Sequence, residues 1–329
     1  MTSVDADVAA PPDGTDSGRK KLVGVVLTWA RRVLLVVVVA VALWTLVRNW
    51  PTVSATLKTV PWGITVFSQL AVIVGIIVGT LAWQTMLNGL GKPVSVLRGA
   101  QINLVGQLGK YVPGSLWAYL LQMELGRKAG VGRTRVFTAS LIQVGVGLVS
   151  ALMIGVLALP VMLRHTPGVR YLFILLPIGL VLLHPKILTK LTNLALKILR
   201  RAPLAEPLTY AVVLKSLALQ LLSFACLGAH LFLLARAVGA APGITGFLLC
   251  AGAISVGLTA GMFFFVLPSG AGIRDGVIVA VLISALPYSQ ALAFAVVSRV
   301  MFILADVITA GLAALLARWH APLPAPQSA

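Results

Sequence analysis

The sequence predicts an all-α protein: a polytopic transmembrane helical bundle of two inverted units, each carrying a broken or re-entrant helical hairpin. Three observations predict it. Of 329 residues, 59% are apolar and 10% are charged, against roughly 25% charged in soluble domains, and the mean hydropathy is +1.01. The apolar residues gather in runs close to the ~20 residues that a helix needs to cross hydrocarbon. Two apolar regions are interrupted by Pro with small residues, where a helix must stop.

Residues 1–18 are rich in Ala, Pro, Asp, Gly and Ser and hold four of the eight acids, with no Lys or Arg; they are expected to be a disordered acidic tail. Arg19, Lys20, Lys21, Arg31 and Arg32 then precede an apolar run over 33–47, read as a retained signal anchor; Val53-x-Ala55 is a weak cleavage signal. Apolar segments follow at 62–87, 136–160, 170–184, 207–236, 244–266, 273–287 and 290–317. The segment 170–184 is short for a span, and 273–287 is too short to cross comfortably. The stretch 95–126 is amphiphilic and broken in its middle. The stretch 184–203 sets apolar residues at helical spacing among Lys186, Lys190, Lys197, Arg200 and Arg201; it reads as an interfacial amphipathic helix or a basic connecting helix. A transmembrane domain is thus expected over 19–318, with units at 33–160 and 170–317, and a disordered tail at 319–329.

The 26 basic residues greatly outnumber the acids. They are scattered between apolar runs without aromatic interleaving, which argues for topology and anionic lipid and against nucleic acid. With the N-terminus, 88–98, 126–135, 184–206 and the C-terminus on one side, that side holds 17 Lys and Arg; the opposite gaps hold five. The bias predicts a plasma (inner) membrane protein with cytoplasmic termini. Both ends of 95–126 then face the cytoplasm, as a re-entrant hairpin or as two crossings.

The interruptions are Gly109-Lys110-Tyr111-Val112-Pro113-Gly114-Ser115-Leu116-Trp117 and Leu267-Pro268-Ser269-Gly270-Ala271-Gly272-Ile273-Arg274-Asp275-Gly276. In each, Gly permits a reversal and a serine, Ser115 or Ser269, is placed to cap the next helix. Backbone freed at membrane depth must face protein or a water-filled cavity. A restarting half-helix directs unpaired N–H groups and partial positive charge at the break, which suits an anion, and each break adds a cation, Lys110 or Arg274. The flanking segments run in opposite senses in the two halves, the layout of inverted-repeat transporters.

The stretches 107–117 (QLGKYVPGSLW) and 267–275 (LPSGAGIRD) resemble the two signature stretches of the lysylphosphatidylglycerol synthase transmembrane-region family. The resemblance covers about 45–318. It implies a flippase-like fold and lipid translocation. Asp275 stands where the family commonly has Glu. No soluble aminoacyl-transferase domain is expected after the membrane part, so lysyl transfer is not implied.

Lys110 and Arg274 are the expected phosphate ligands, because a charge at membrane depth costs ~2.5–3.5 kcal/mol on insertion scales and is functional by default. Tyr111, Pro113, Gly114, Ser115 and Trp117 at the first break, and Pro268, Ser269, Gly270 and Gly272 at the second, complete the expected lipid head-group site. Asp275, Arg299, Asp306 and Glu124 are expected in gating or charge pairing. Arg274–Asp306 is a candidate bridge, Asp275 a possible helix cap, and Glu124 a partner for Arg127 or Lys128. Gln101, Asn103 and Gln107 suit either head-group contact or helix–helix hydrogen bonds, and Gly75-x-x-x-Gly79 and Gly257-x-x-x-Gly261 suit close helix packing.

The expected function is movement of an anionic phospholipid or a polyprenyl-phosphate-linked lipid between leaflets, without enzymatic chemistry, metal or cofactor. There is no phosphate-binding Gly-x-x-x-x-Gly-Lys-Ser/Thr motif. The rival readings are a small-anion transporter, a membrane enzyme acting on lipid, and a non-transporting partner of a lipid synthase or glycosyltransferase.

Overall fold

A computed structural model describes Trp44, Val47, Arg48, residues 50–112, 116–162, 174–198, 203–204, 207–239 and 243–263, Gly270, and residues 272–319. The expected tail at 1–18, residues 320–329 of the tail expected at 319–329, most of the run 33–47, and Pro113, Gly114, Ser115, Glu206, Pro268 and Ser269 lie outside the described residues; Trp319, expected in that tail, ends the last helix.

The described chain is all-helical, in the order α1 (Trp50–Thr59), α2 (Trp62–Gly89), α3 (Val96–Ala100), a π turn (Gln101–Val105), a 3-10 turn (Leu108–Tyr111), α4 (Leu116–Lys128), α5 (Arg133–Met162), α6 (Leu175–Leu182), α7 (Pro185–Ile198), α8 (Tyr210–Ala237), α9 (Gly243–Phe263), α10 (Ile273–Leu282) and α11 (Tyr288–Trp319). Five of these, α2, α5, α8, α9 and α11, are long and apolar enough to cross a membrane. The protein is a multi-pass membrane protein. Helix α1 occupies most of 48–61, a stretch expected to be a connecting gap.

Helix ends follow local chemistry. The Pro61 carbonyl accepts from the Ile64 and Thr65 N–H groups to start α2. Ser95 Oγ accepts from the Arg98 N–H to start α3, and Thr209 Oγ1 accepts from the Val212 N–H to start α8. The short segment at 170–184 ends in a sharp bend: α6 and α7 meet at 81°, because Pro185 cannot continue the hydrogen-bond ladder of α6. Helix α7 buries Pro185, Leu188, Thr192 and Leu196 on one stripe and exposes Lys186, Lys190 and Lys197, the amphipathic pattern read from the sequence.

Small residues set the central contacts. Helices α2 and α8 lie along each other. A Cβ on Gly75 would fall 2.6 Å from Leu227, and one on Gly79 would fall 3.0 Å from Ser223 Oγ. The Ser223 hydroxyl donates to the Gly75 carbonyl at 2.7 Å. The main core joins α8, α9, α10 and α11 through Leu231, Ile254, Ile278, Leu282 and Phe294. A second core holds the first hairpin against α2 and α5 through Trp83, Ile102, Leu125 and Val136. Trp62, Phe67, Ile77, Leu222 and Leu312 stand exposed on the outside of the bundle, as lipid-facing side chains must.

Candidate functional site

Both breaks face one cavity of about 300 Å³ inside the bundle. Gln107, Lys110 and Tyr111 reach it from the end of the first hairpin limb. Gly261, Gly270 and Arg274 reach it from the second break, and Phe302 and Asp306 from α11. Helices α2, α5 and α8 add Thr80, Ser140, Gln143, Gln220 and Ser223. A second pocket, about 230 Å³ between α5, α6 and α7, is walled almost wholly by apolar side chains and offers nothing to hold a charge.

The first break is built by crossing limbs. A Cβ on Gly109 would fall 2.6 Å from the Ala118 backbone, so only glycine lets the limb ending at Tyr111 lie on α4. Val112 is extended at the residue before Pro113, as the following proline ring requires. Tyr111 is thereby turned inward. It is 3% exposed, and its hydroxyl donates to Asp306 Oδ2 at 2.6 Å. The Lys110 ammonium lies 2.6 Å from the same carboxylate oxygen. The lysine keeps part of its side chain accessible and the aspartate is buried.

The second break is held by backbone approach. Gly270 has φ +64°, and a Cβ there would fall 2.6 Å from the Gly261 Cα. Gly257 and Gly261 pack on the same turn, where added Cβ atoms would fall 3.1 Å from the Arg274 carbonyl and 3.3 Å from the Gly270 Cα. The spacing Gly257-x-x-x-Gly261 thus seats α9 against the start of α10. Gly272, at φ +85°, is the N-cap of α10, and its N–H donates to Asp275 Oδ2 at 3.2 Å. Ser269 was expected to cap this helix. It sits too early, because the helix restarts only at Ile273, and the acid within the first turn takes the role.

Arg274 is 5% exposed. Its Nη2 donates to Ser298 Oγ at 3.1 Å, and its guanidinium lies 4.0 Å from the Phe302 ring centroid, a favourable cation–π stack. Its Nε has no acceptor among the described residues. Ser298 in turn lies 3.0 Å from His230 Nε2, and His230 Nδ1 lies 2.6 Å from Ser68 Oγ. One assignment satisfies every group: Ser298 donates to Nε2, the neutral imidazole donates from Nδ1 to Ser68, and Ser68 donates to the His230 carbonyl. A buried relay through α2, α8 and α11 therefore ends on Arg274.

The candidate bridge Arg274–Asp306 is replaced by two other pairs. Asp306 binds Lys110 and Tyr111, while Arg299 pairs with Asp275. The reason is helical register. Ser298, Phe302 and Asp306 recur every four residues on one face of α11 and turn towards the cavity side, whereas Arg299 is one residue out of step and meets the cap of α10. Trp117, expected at the head group, is half exposed and is not part of the cavity wall; it lies on the outer side of α4, one position before the inward Ala118. Gly272 is likewise exposed and off the wall. Gln101 is off it too, whereas Asn103 and Gln107 line it.

Glu124 stands apart, near the end of α4. It accepts from Arg127 at 2.7 and 3.0 Å and from Arg133 at 2.8 Å. The Arg127 hydrogen bond, with help from Arg133, lowers its pKa to about 2 against desolvation. It ties α4 to α5 and has no contact with the cavity.

The polar wall around Asn103 is a closed chain. Trp83 Nε1 donates to Ser140 at 2.9 Å, Ser140 to Gln122 Oε1 at 2.7 Å, Gln122 Nε2 to Asn103 Oδ1 at 2.9 Å, and Asn103 Nδ2 to Thr80 at 3.0 Å. Asn103 therefore serves helix–helix bonding. Sequence reasoning missed His230, Ser298, Phe302, Gln143 and Gln220. A lone His amid the apolar α8 and the four-residue spacing of Ser298, Phe302 and Asp306 were the available signals.

Residues 32–319 match the family described as Lysylphosphatidylglycerol synthase TM region. A comparison with curated proteins returned no match. The match covers nearly the whole chain, and the chain belongs to that family.

Proposed function

We propose that this member of the Lysylphosphatidylglycerol synthase TM region family moves an anionic phospholipid, or another lipid with a phosphate-linked head group, between membrane leaflets. The observation that carries the reading is the buried Arg274, aimed at the cavity with an Nε that no described residue accepts from. A buried charged donor without an acceptor is costly, and a phosphate oxygen supplies one. Arginine suits this role because its planar fork binds phosphate through charge-assisted hydrogen bonds. Lys110, partly accessible and held by Asp306, is the second cation.

In this reading the head group crosses through the cavity while the acyl or prenyl tails stay in lipid. The two breaks belong to two units of opposite orientation, and rocking of one against the other alternates access. Anion binding requires Lys110 to exchange part of its bond to Asp306 for the phosphate, which ties occupancy to the contact between the first break and α11. The termini are cytoplasmic in this account, as the 17 to five distribution of basic residues suggests.

The test is reconstitution into vesicles containing fluorescent phosphatidylglycerol, with leaflet exchange followed by quenching of the outer leaflet. Exchange by the parent protein, lost in Arg274→Ala, supports the reading. Uptake of soluble phosphate or glycerol phosphate without lipid exchange favours a small-anion transporter. Neither activity in a folded preparation argues against both.

A further inference from the structure

We infer that the head group taken by this cavity is a phosphodiester bearing a neutral, hydroxylated group, and not an amine; the inference rests on the lipid-translocase reading and narrows its substrate.

Among the described residues, three charged side chains line the cavity: Lys110, Arg274 and Asp306. The two cations suit one phosphate. The acid among them is already engaged, because Asp306 Oδ2 accepts from Tyr111 and pairs with Lys110, each at 2.6 Å. Asp275, the other acid of the second break, pairs with Arg299 and caps Gly272, and it does not line the cavity. A head-group ammonium entering this space would meet two like charges and a carboxylate whose partners it must displace. Desolvating a charge without a free counter-charge is expensive.

The neutral part of the wall points the same way from an independent direction. Gln107, Tyr119 and Thr259 line the cavity and make no side-chain hydrogen bond to a described residue. Gln220 accepts from Gln143 at 2.8 Å through Oε1, which leaves its amide N–H groups for another acceptor. These groups contrast with Thr80, Asn103 and Ser140 on the same wall, which are tied to one another directly or through Gln122 behind it. Amides and hydroxyls with spare donors and acceptors match a polyol, whose hydroxyls both donate and accept. They give an ammonium no charge to bind.

Two lipid sources carry this chemistry: glycerophospholipids with a glycerol or inositol head group, and polyprenyl phosphates carrying a sugar. Both present a phosphate with neutral hydroxyls attached.

The experiment is leaflet exchange in vesicles, with the same fluorescent tail on phosphatidylglycerol, phosphatidylinositol, lysylphosphatidylglycerol and phosphatidic acid, and a labelled short polyprenyl-phosphate sugar in a parallel arm. The expected result is exchange of a hydroxylated phosphate lipid at least about tenfold faster than lysylphosphatidylglycerol, the scale set by burying an unpaired polar or charged group. Whichever hydroxylated lipid moves faster identifies the source. In Gln107→Leu the rate of the preferred hydroxylated lipid is expected to fall about threefold relative to phosphatidic acid, as a lost neutral hydrogen bond implies. Equal exchange of lysylphosphatidylglycerol overturns the inference while the translocase reading stands. An unchanged ratio in Gln107→Leu overturns the hydroxyl assignment. Exchange of no lipid by folded protein overturns both.

Discussion

The Lys110 ammonium and the Asp306 carboxylate, 2.6 Å apart, join the first helix break to the middle of the last membrane helix. Their pairing is the point where an entering phosphate must compete with the protein's own anion. Asp306→Asn should free Lys110 for phosphate yet weaken the join. Unfolding temperature in detergent should fall by an amount equivalent to about 1–3 kcal/mol, less than the ~3–5 of a fully buried pair because the lysine is partly accessible. Lys110→Met with Asp306→Leu should recover much of that stability while leaving lipid exchange impaired.

Arg274 is oriented by a relay, and its orientation should be separable from its charge. Ser298→Ala removes the acceptor of Nη2 and uncouples His230. A hydrogen bond to a charged group contributes about 1.5–3 kcal/mol, so phosphatidylglycerol exchange should fall at least about tenfold at subsaturating lipid. Ser298→Thr, which keeps the hydroxyl, should retain most of the exchange. Equal loss in both variants would indicate a packing defect instead.

Gly270 should tolerate no side chain. Its φ of +64° and the 2.6 Å approach of an added Cβ to the Gly261 Cα combine backbone strain with a backbone clash. Gly270→Ala should cost about 1–3 kcal/mol and displace Arg274. Gly276→Ala is the control: a Cβ there meets nothing within 4 Å, and thermal unfolding should match the parent.

Glu124 provides a contrasting prediction with a pH signature. Its folded pKa, held near 2 by Arg127 and Arg133, lies below the ordinary carboxylate value. Its stabilising contribution is therefore fully present above that ordinary value and is lost as pH falls towards about 2. Glu124→Gln should lower stability at neutral pH and reduce the loss of stability on acidification, with lipid exchange per folded molecule close to the parent.

The parts of this arrangement that the sequence revealed are those that depend on local chain chemistry. Pro113 and Pro268 flagged the breaks, Lys110 and Arg274 stood out as cations beside them, and the five long helices followed from run length. Pairing across the bundle was less legible. Asp306 could have met Arg274 or Lys110, and only the rotation of α11 relative to the first hairpin decides between them. Ser269 resembled a cap, but the helix restarts three residues later than a Ser269 cap would require. Trp117 resembled a cavity aromatic, yet the inward face of α4 begins at Ala118. His230 offered no ligand spacing, and its role depends on Ser68 and Ser298 arriving from two other helices.

The most direct test of the central claim is the rate of phosphatidylglycerol exchange by vesicles containing parent protein, Arg274→Lys and Arg274→Ala, each shown to be folded by its thermal transition. If Arg274 binds the lipid phosphate, exchange should be lost in Arg274→Ala, by about a hundredfold or more on the scale of a charged hydrogen bond left unmade. Arg274→Lys should recover part of it, because the charge is kept and the planar fork is not. Exchange by folded Arg274→Ala at the parent rate would contradict the account.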